Sequence, residues 1–415
     1  MKTNIFAFIL LISCALNSWS STTVSVYTWR DQEGALWDII SQRNLIPGIK
    51  IDHRVIRYEK HETYQPHVLI ELLHRKADVF QWGPGAANLK RLIDEGFIAP
   101  NQADISDMNK SALLASLGPD GKYYGVPFAL QLQSLLVNNK ILNDLGIRQQ
   151  PQTMQEFNSA LEKIKQSGVT PIHYASASGW LINQVVAEVM VSGLVDKNFA
   201  ANLAKGTACF NDPEYYQIFE TILDWKKRGF INENWETEGY SGMGSAIAIG
   251  NSAISFDGGW KTGPSSILWQ VDPNFQVGFW AIPGKSGQVY ALGDGTYQVN
   301  HKSPRAKAAY RVLQYTATKE FAELFAEHVK ELPAYGGKLN IANPMLNTMS
   351  SLVGNAYPVS LFGSYPLNKQ EPSYNELVLT AFTEVLKQNK TPKEAAQTIQ
   401  DELNKWKYIG YKNCQ

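Results

Sequence analysis

The residues best suited to grip a small molecule are tryptophans placed where strand patterns stop. The run "TTVSVYTW" ends at Trp29 and is followed by Arg30; "ADVFQW" ends in Gln81-Trp82; "ISFDGGWKTG" sets Trp260 directly after Gly258 and Gly259. An indole at a strand end is either the lid of a core or a flat surface held out for a ligand. A neighbouring Arg, Gln or carboxylate then supplies hydrogen bonds. Covalent chemistry finds no matching support. The chain has no His-Glu-x-x-His zinc helix, no Gly-x-Ser-x-Gly elbow, no phosphate loop closing on Lys-Ser/Thr and no dinucleotide glycine fingerprint after its first strand. The seven histidines are scattered, with His53, His61, His67 and His74 in polar segments, and read as structural. Two cysteines beyond the leader do not make a metal site, so neither a metal nor a cofactor is expected.

Such tryptophans need a scaffold, and the chain is long enough for two lobes: 415 residues exceed what one ordinary core organises. Apolar residues at 44% and charged residues at 18% give a globular composition with no disordered tail. Lys+Arg and Asp+Glu both number 38, which argues against a nucleic-acid binder with its basic stripe. The start, "MKTNIFAFILLISCALNSWSSTT", has Lys2 before an apolar run from Ile5 to Leu16 that is too short to span a bilayer. It reads as a secretory signal peptide over residues 1–20, cleaved near Ser20. The alternative is lipidation at Cys14, since "LISC" resembles a lipobox. Cys209 and Cys414 could pair in an oxidising compartment or stand as separate thiols.

Strand and helix patterns alternate from "TTVSVYTW" through "GIKIDHRVI", "HVLIELLHRK", "ADVFQW" and "NLKRLIDEGF", as βαβ units do, so a mainly parallel sheet covered by helices is expected. In such sheets ligands sit beyond the carboxyl ends of strands, which puts Trp29-Arg30 and Gln81-Trp82 on one rim. Further on, "YYGVPFALQLQSLLVNNKIL" reads as a long strand region. Thr153 and Glu156 form a capping box before an amphipathic helix, and "WLINQVVAEVMVSGL" reads as a buried helix. "AIAIGNSAISFDGGW" reads as strand throughout, and helices close the chain. Trp37, Trp225 and Trp406 fall in helical patterns and read as packing residues.

Four stretches in this order resemble the bacterial extracellular solute-binding proteins of family 1, the group that includes the maltose- and glucose-binding proteins of ABC importers. They are "ADVFQWGPGAANLKRLIDEGFIAP", "YYGVPFALQLQSLLVNNKILNDLGI", "PQTMQEF" and "IGNSAISFDGGW". The resemblance implies two α/β lobes of the type II periplasmic-binding fold, joined by strand hinges. It divides the chain into a first lobe of residues 22–130 with a return segment at 290–334, and a second lobe of residues 131–289 and 335–415. Crossings are expected at "PFALQL" and near "GQVYAL".

The same resemblance implies a non-catalytic, monomeric periplasmic protein that binds a sugar between the lobes and delivers it to ABC permease subunits. Sugars present C–H faces that lie on aromatic rings and hydroxyls that need polar partners, so the expected contacts are Trp260, Trp29, Arg30, Gln81 and Trp82. Asp294, between glycines in "LGDGTY", resembles a polar contact of the glucose-type members, or marks only a tight turn. Glu33, Trp180, Tyr297 and Tyr335 complete the set. The glucose-type relatives favour two adjacent tryptophans after the first strand, whereas this chain has Trp29-Arg30. That difference leaves open an acidic or phosphorylated sugar. A polyamine binder and a secreted glycan-acting enzyme are the remaining alternatives.

Overall fold

The computed structural model describes residues 21–56, 64–263, 266–357, 360–408 and 414. The leader reading, with Ser20 cleavage or Cys14 lipidation, lies outside the described residues. Among those described, no helix is long and apolar enough to cross a membrane.

Among the described residues ten strands build two sheets. In chain order they are β1 (Thr22–Thr28), β2 (Ile49–Val55), β3 (Val79–Trp82), β4 (Val126–Pro127), β5 (Leu130–Asn138), β6 (Thr170–His173), β7 (Ser252–Gly258), β8 (Val277–Trp280), β9 (Tyr290–Gly293) and β10 (Thr296–Val299). The first sheet has the order β2-β1-β3-β10-β4; the second runs β6-β7-β5-β8, with β9 also paired to β5. Both sheets are mixed, which corrects the expectation of mainly parallel ones. β1 lies parallel to β2 and β3, and β6 to β7, but β10 and β5 run against all their neighbours. The reason is connectivity. β5 and β10 are the strands through which the chain enters a sheet from the other one, so no helical crossover sets their direction.

The chain changes sheet between β4 and β5, at Phe128–Ala129, and between β9 and β10, at Asp294–Gly295. The segment Tyr290–Gly293 therefore pairs in the second sheet, and the return to the first sheet follows it. A third strand-like passage joins them: Ala129 bridges Pro333, Leu130 N donates to Leu332 O at 2.8 Å, and Ala334 N donates to Phe128 O at 3.1 Å. Apolar residues of both sheets, from Val24 and Val79 to Leu132 and Val277, share one buried cluster around these passages.

The remaining elements follow from local chemistry. Thr153 and Glu156 close a capping box on the helix Met154–Gln166. Each side chain satisfies an amide that the first turn leaves without a partner. The segment Leu181–Val186 winds as a π-helix and continues into the helix Ala187–Leu194, every residue of which is buried. The stretch expected as strand from Ala246 is instead helical over Tyr240–Ala248, and β7 begins only at Ser252. Met243 and Ile247, four apart, bury one helix face, and Gly250 with φ +80° ends the turn. Cys209 and Cys414 form a disulfide with Cα atoms 5.5 Å apart. Trp37, Trp225 and Trp406 are all buried.

Candidate ligand-binding site

The carboxyl ends of β1, β3 and β7 all face the passages between the sheets. Trp82 at the end of β3 pairs with Thr296 at the start of β10, just past the Asp294–Gly295 crossing. Gly258, the last residue of β7, pairs with Gln133 near the start of β5. The two rims thus meet different crossings, which Asp294 N holds side by side by donating to Ala129 O at 3.0 Å.

On the second sheet's rim three aromatic rings gather. Trp180 precedes the π-helical turn, and its ring lies 4.9 Å from that of Tyr240 and 6.4 Å from that of Trp260. Trp260 Nε1 donates to the Tyr240 hydroxyl at 2.5 Å, and that hydroxyl donates to Asp257 Oδ1 at 3.1 Å. Burial raises the Asp257 carboxyl above its usual range, opposed by Lys261, whose Nζ is 3.8 Å away and also lies over the Tyr240 ring. The Tyr240 phenol is pushed up by burial and by the Asp257 charge, so it stays a donor. Trp260 and Trp180 are both part-buried, each with one side packed on the core of the second sheet.

The glycines before Trp260 act through space. Gly258 has φ −140° and ψ 176°, an extended backbone open to any residue. A Cβ there would come within 2.0 Å of the Trp260 ring, and one on Gly259 within 2.4 Å of Met349 Cε. The ring folds back over the strand end, and only a hydrogen at Gly258 admits it. Trp29 is seated in a comparable way. A Cβ on Gly295 would come within 2.9 Å of its ring, which stands edge-on to Tyr64 at 5.1 Å and to Phe128 at 5.5 Å.

Behind Trp29 the residues named from sequence form a buried polar network. Gln81 Oε1 accepts from Trp29 N at 3.1 Å, and Gln81 Nε2 donates to Glu33 Oε1 at 2.6 Å. The other Glu33 oxygen accepts from Trp37 Nε1 at 3.0 Å and from the Tyr297 hydroxyl at 2.7 Å. Burial pushes the Glu33 carboxyl up to about 7, opposed by the nearby Arg30 and by these three donors. Burial and Glu33 together raise the Tyr297 phenol. Trp82 is only 2% exposed, and its Nε1 donates to Asn88 O at 2.9 Å.

Arg30 ties the passages together. Its guanidinium pairs with Asp294, at one crossing, and with Glu331, at the start of the third passage. Glu331 also accepts from Gln32 at 3.1 Å and from Gln131 of β5 at 3.0 Å. Asp294 keeps 27% of its side chain exposed, whereas Arg30 and Glu331 are buried. Tyr335, part-buried just past the third passage, donates from its hydroxyl to Asp107 at 3.0 Å.

Of the ten residues named from sequence, then, Trp29, Trp180, Trp260, Asp294 and Tyr335 keep exposed surface. Arg30, Glu33, Gln81, Trp82 and Tyr297 lie inside and support them. Tyr240, Asp257, Gln131 and Glu331 are additions. Asp257 stands in the "FDGGW" run itself, but nothing in sequence links Tyr240 or Glu331 to it. A surface groove of about 790 Å³ lined by Gln155, Glu162 and Arg228, and a crevice of about 240 Å³ lined by Ala200, Leu367 and Tyr408, share no residue with this site. Among the described residues no cluster of His, Cys, Asp and Glu is arranged to hold a metal ion.

Two α/β lobes joined by three strand passages, with aromatic rings on the rims facing those passages, define a two-lobed binding-protein fold. The chain belongs to the bacterial extracellular solute-binding protein family, whose profile matches residues 72–323. It is similar to the multiple sugar-binding protein of Streptococcus mutans, 26% identical over 48% of this chain and 48% of that protein. It is also similar to the diacetylchitobiose-binding protein DasA of Streptomyces coelicolor, 24% identical over 72% of this chain and 68% of that one. The chain spans about half the length of several of the curated relatives it matches. Among solved structures, a chitin oligosaccharide-binding protein superposes with a TM-score of 0.69 at 22% identity, covering 93% of this chain and 99% of the other. These relatives are named as binding proteins rather than enzymes.

Proposed function

We propose that this protein is the exported, non-catalytic solute-binding component of an ABC importer and that it holds a neutral sugar between its lobes. The observation that carries this reading is the Trp180–Tyr240–Trp260 cluster, seated over Gly258 at the strand end that faces the passages. Trp29 packs beside Phe128, and Trp260 lies beside Gln133. Five residues of extended chain span at most about 18 Å, so Phe128 and Gln133, beside which the two platforms sit, lie within that distance of each other. Such a span suits a short oligosaccharide.

Charge argues for a neutral ligand over the acidic or phosphorylated one. Arg30 already has two carboxylate partners and is 6% exposed, so it offers little to a third anion. A polyamine fares no better, because Asp257, Asp294 and Glu331 are each engaged by a cation or by hydrogen-bond donors. The names of the relatives, a multiple sugar-binding protein and a diacetylchitobiose-binding protein, support the same class.

Binding would shift the protein toward its closed form by the difference in affinity between closed and open states, with bending at residues 128–129, 294–295 and 333–334. The lobes are taken as residues 22–130 with 290–334, and 131–289 with 335–415, except that β9 pairs with the second sheet. Export uses residues 1–20 as a signal peptide cleaved near Ser20, or lipidation at Cys14. The working unit is a monomer that presents its closed form to permease subunits.

A thermal-shift screen of the mature protein tests the reading. Neutral mono- and oligosaccharides are expected to raise the midpoint by several degrees at concentrations well above Kd, through mass action. Phosphorylated sugars and spermidine are expected to leave it unmoved. Stabilisation by spermidine or a sugar phosphate alone would overturn the neutral-sugar assignment. Steady release of cleaved product from an oligosaccharide would overturn the non-catalytic one.

A further inference from the structure

The geometry points to Gln133 as a ligand-contacting, specificity-determining residue of the sugar site, one that hydrogen-bonds a saccharide hydroxyl beside the Trp260 platform. This rests on the sugar-binding reading above and extends it to a residue outside the aromatic set.

Residues paired directly across an antiparallel sheet share a face. Gln133 of β5 lies between Gly258 of β7 and Tyr290 of β9, so the three share one face. On that face the Trp260 ring occupies the space above Gly258, as the 2.0 Å approach to a Cβ there requires. The Gln133 side chain is thus a polar group next to the platform, in addition to the Tyr240 hydroxyl that Trp260 already engages. Gln133 is 3% exposed, and among the described residues its amide oxygen has no hydrogen-bond partner.

The contrast with Gln131 is direct. Two residues nearer the crossing and on the same face, that amide donates to Glu331 at 3.0 Å. The same residue type on the same strand is therefore satisfied in one position and unsatisfied in the next. Folded proteins pair their buried amides with protein groups or water, and an unpaired one beside a binding surface awaits a partner. A sugar hydroxyl both donates and accepts, so it can serve either end of the amide while its ring lies on Trp260. Tyr290 does not fill this role, because its hydroxyl already has a partner in Ser360.

The test compares Gln133→Leu with the wild type using raffinose, diacetylchitobiose and maltose as probes, by intrinsic fluorescence titration and thermal unfolding. Gln133→Leu is expected to weaken binding of the probe that the wild type takes by at least ten-fold. Its ligand-free unfolding midpoint should stay equal or rise, since an unsatisfied amide is removed. Unchanged affinity would overturn the inference; so would a lowered midpoint with affinity intact, the signature of a merely structural glutamine. Gln133→Met, of similar length, serves the same comparison should the leucine variant fold poorly. If Trp260→Ala abolishes binding while Gln133→Leu does not, the sugar reading stands and this inference falls. If none of the three probes binds the wild type, both fall.

Discussion

The ring of Trp260 lies so close over Gly258 that a single added carbon at that glycine would come within 2.0 Å of it. Because the Gly258 backbone is ordinary extended chain, a substitution there strains no dihedral and meets the ring first. Gly258→Ala is therefore expected to keep the fold, displace the indole and weaken saccharide binding by ten-fold or more. Near-ultraviolet circular dichroism should report the displaced ring, and fluorescence titration the lost affinity. A variant with native spectrum and native affinity would remove Trp260 from the platform role.

Arg30 holds Asp294 and the buried Glu331 at two of the three passages. Replacing it by methionine keeps the volume but leaves a buried carboxylate without its cation. Breaking a buried pair in this way costs about 3–5 kcal/mol. Urea unfolding of ligand-free Arg30→Met should show a loss of that order. A change below about 1 kcal/mol, the range of exposed pairs, would mean that the passages do not depend on this tie.

Two buried glutamates set a pH dependence. Burial pushes Glu188 up to about 8 and Glu33 up to about 7, against an ordinary glutamate value of 4.5. Between those values the folded protein keeps protons that the unfolded chain has released, so stability falls as pH rises from about 5 to about 8. His53, pushed down to about 4 by burial, works the other way and costs stability as pH falls below its ordinary 6.5. Glu188→Gln should flatten the alkaline limb. It is expected to match the wild type near pH 5 and to exceed it by a few kcal/mol near pH 9, since each tenfold change in proton affinity is worth about 1.4 kcal/mol. Parallel wild-type and variant curves between pH 5 and 9 would mean that Glu188 does not titrate in the fold.

The disulfide between Cys209 and Cys414 spans a sequence separation of 205 residues. Long loops lose much unfolded-state entropy on closure, and removing such a bond costs about 2–5 kcal/mol. Reduction should lower the urea midpoint accordingly while leaving saccharide affinity within about two-fold. An unchanged midpoint would show that the bond adds nothing to the folded state's stability.

Much of this architecture is legible in the chain itself. Alternating Val24 and Val26, the Thr153–Glu156 box and the largely apolar helix after Trp180 each depend on neighbours within a few residues, and each reappears in the structure. The strand ends at Trp29, Trp82 and Trp260 are legible for the same reason. What the string of residues hides is which side of each strand end meets solvent. Trp82 turns inward to Asn88, whereas Trp260 lies over Gly258 and stays part-buried. No local pattern links Arg30 to Asp294, 264 residues away, which holds its guanidinium. Tyr240 carries no local mark at all, because its role comes from rings and a carboxylate brought together only by folding. The mixed direction of the sheets is hidden too, since it follows from the chain changing lobes and not from any one strand's pattern.

The most direct measurement is isothermal titration of the mature protein and its Trp260→Ala variant with the neutral oligosaccharide that stabilises the wild type in the thermal screen. One site per chain with a saturating heat signal is expected for the wild type. A loss of at least ten-fold in affinity is expected for the variant, with its far-ultraviolet spectrum intact. Equal affinity for the two proteins, or the absence of any saccharide that titrates, would contradict a sugar held on the rings between the lobes.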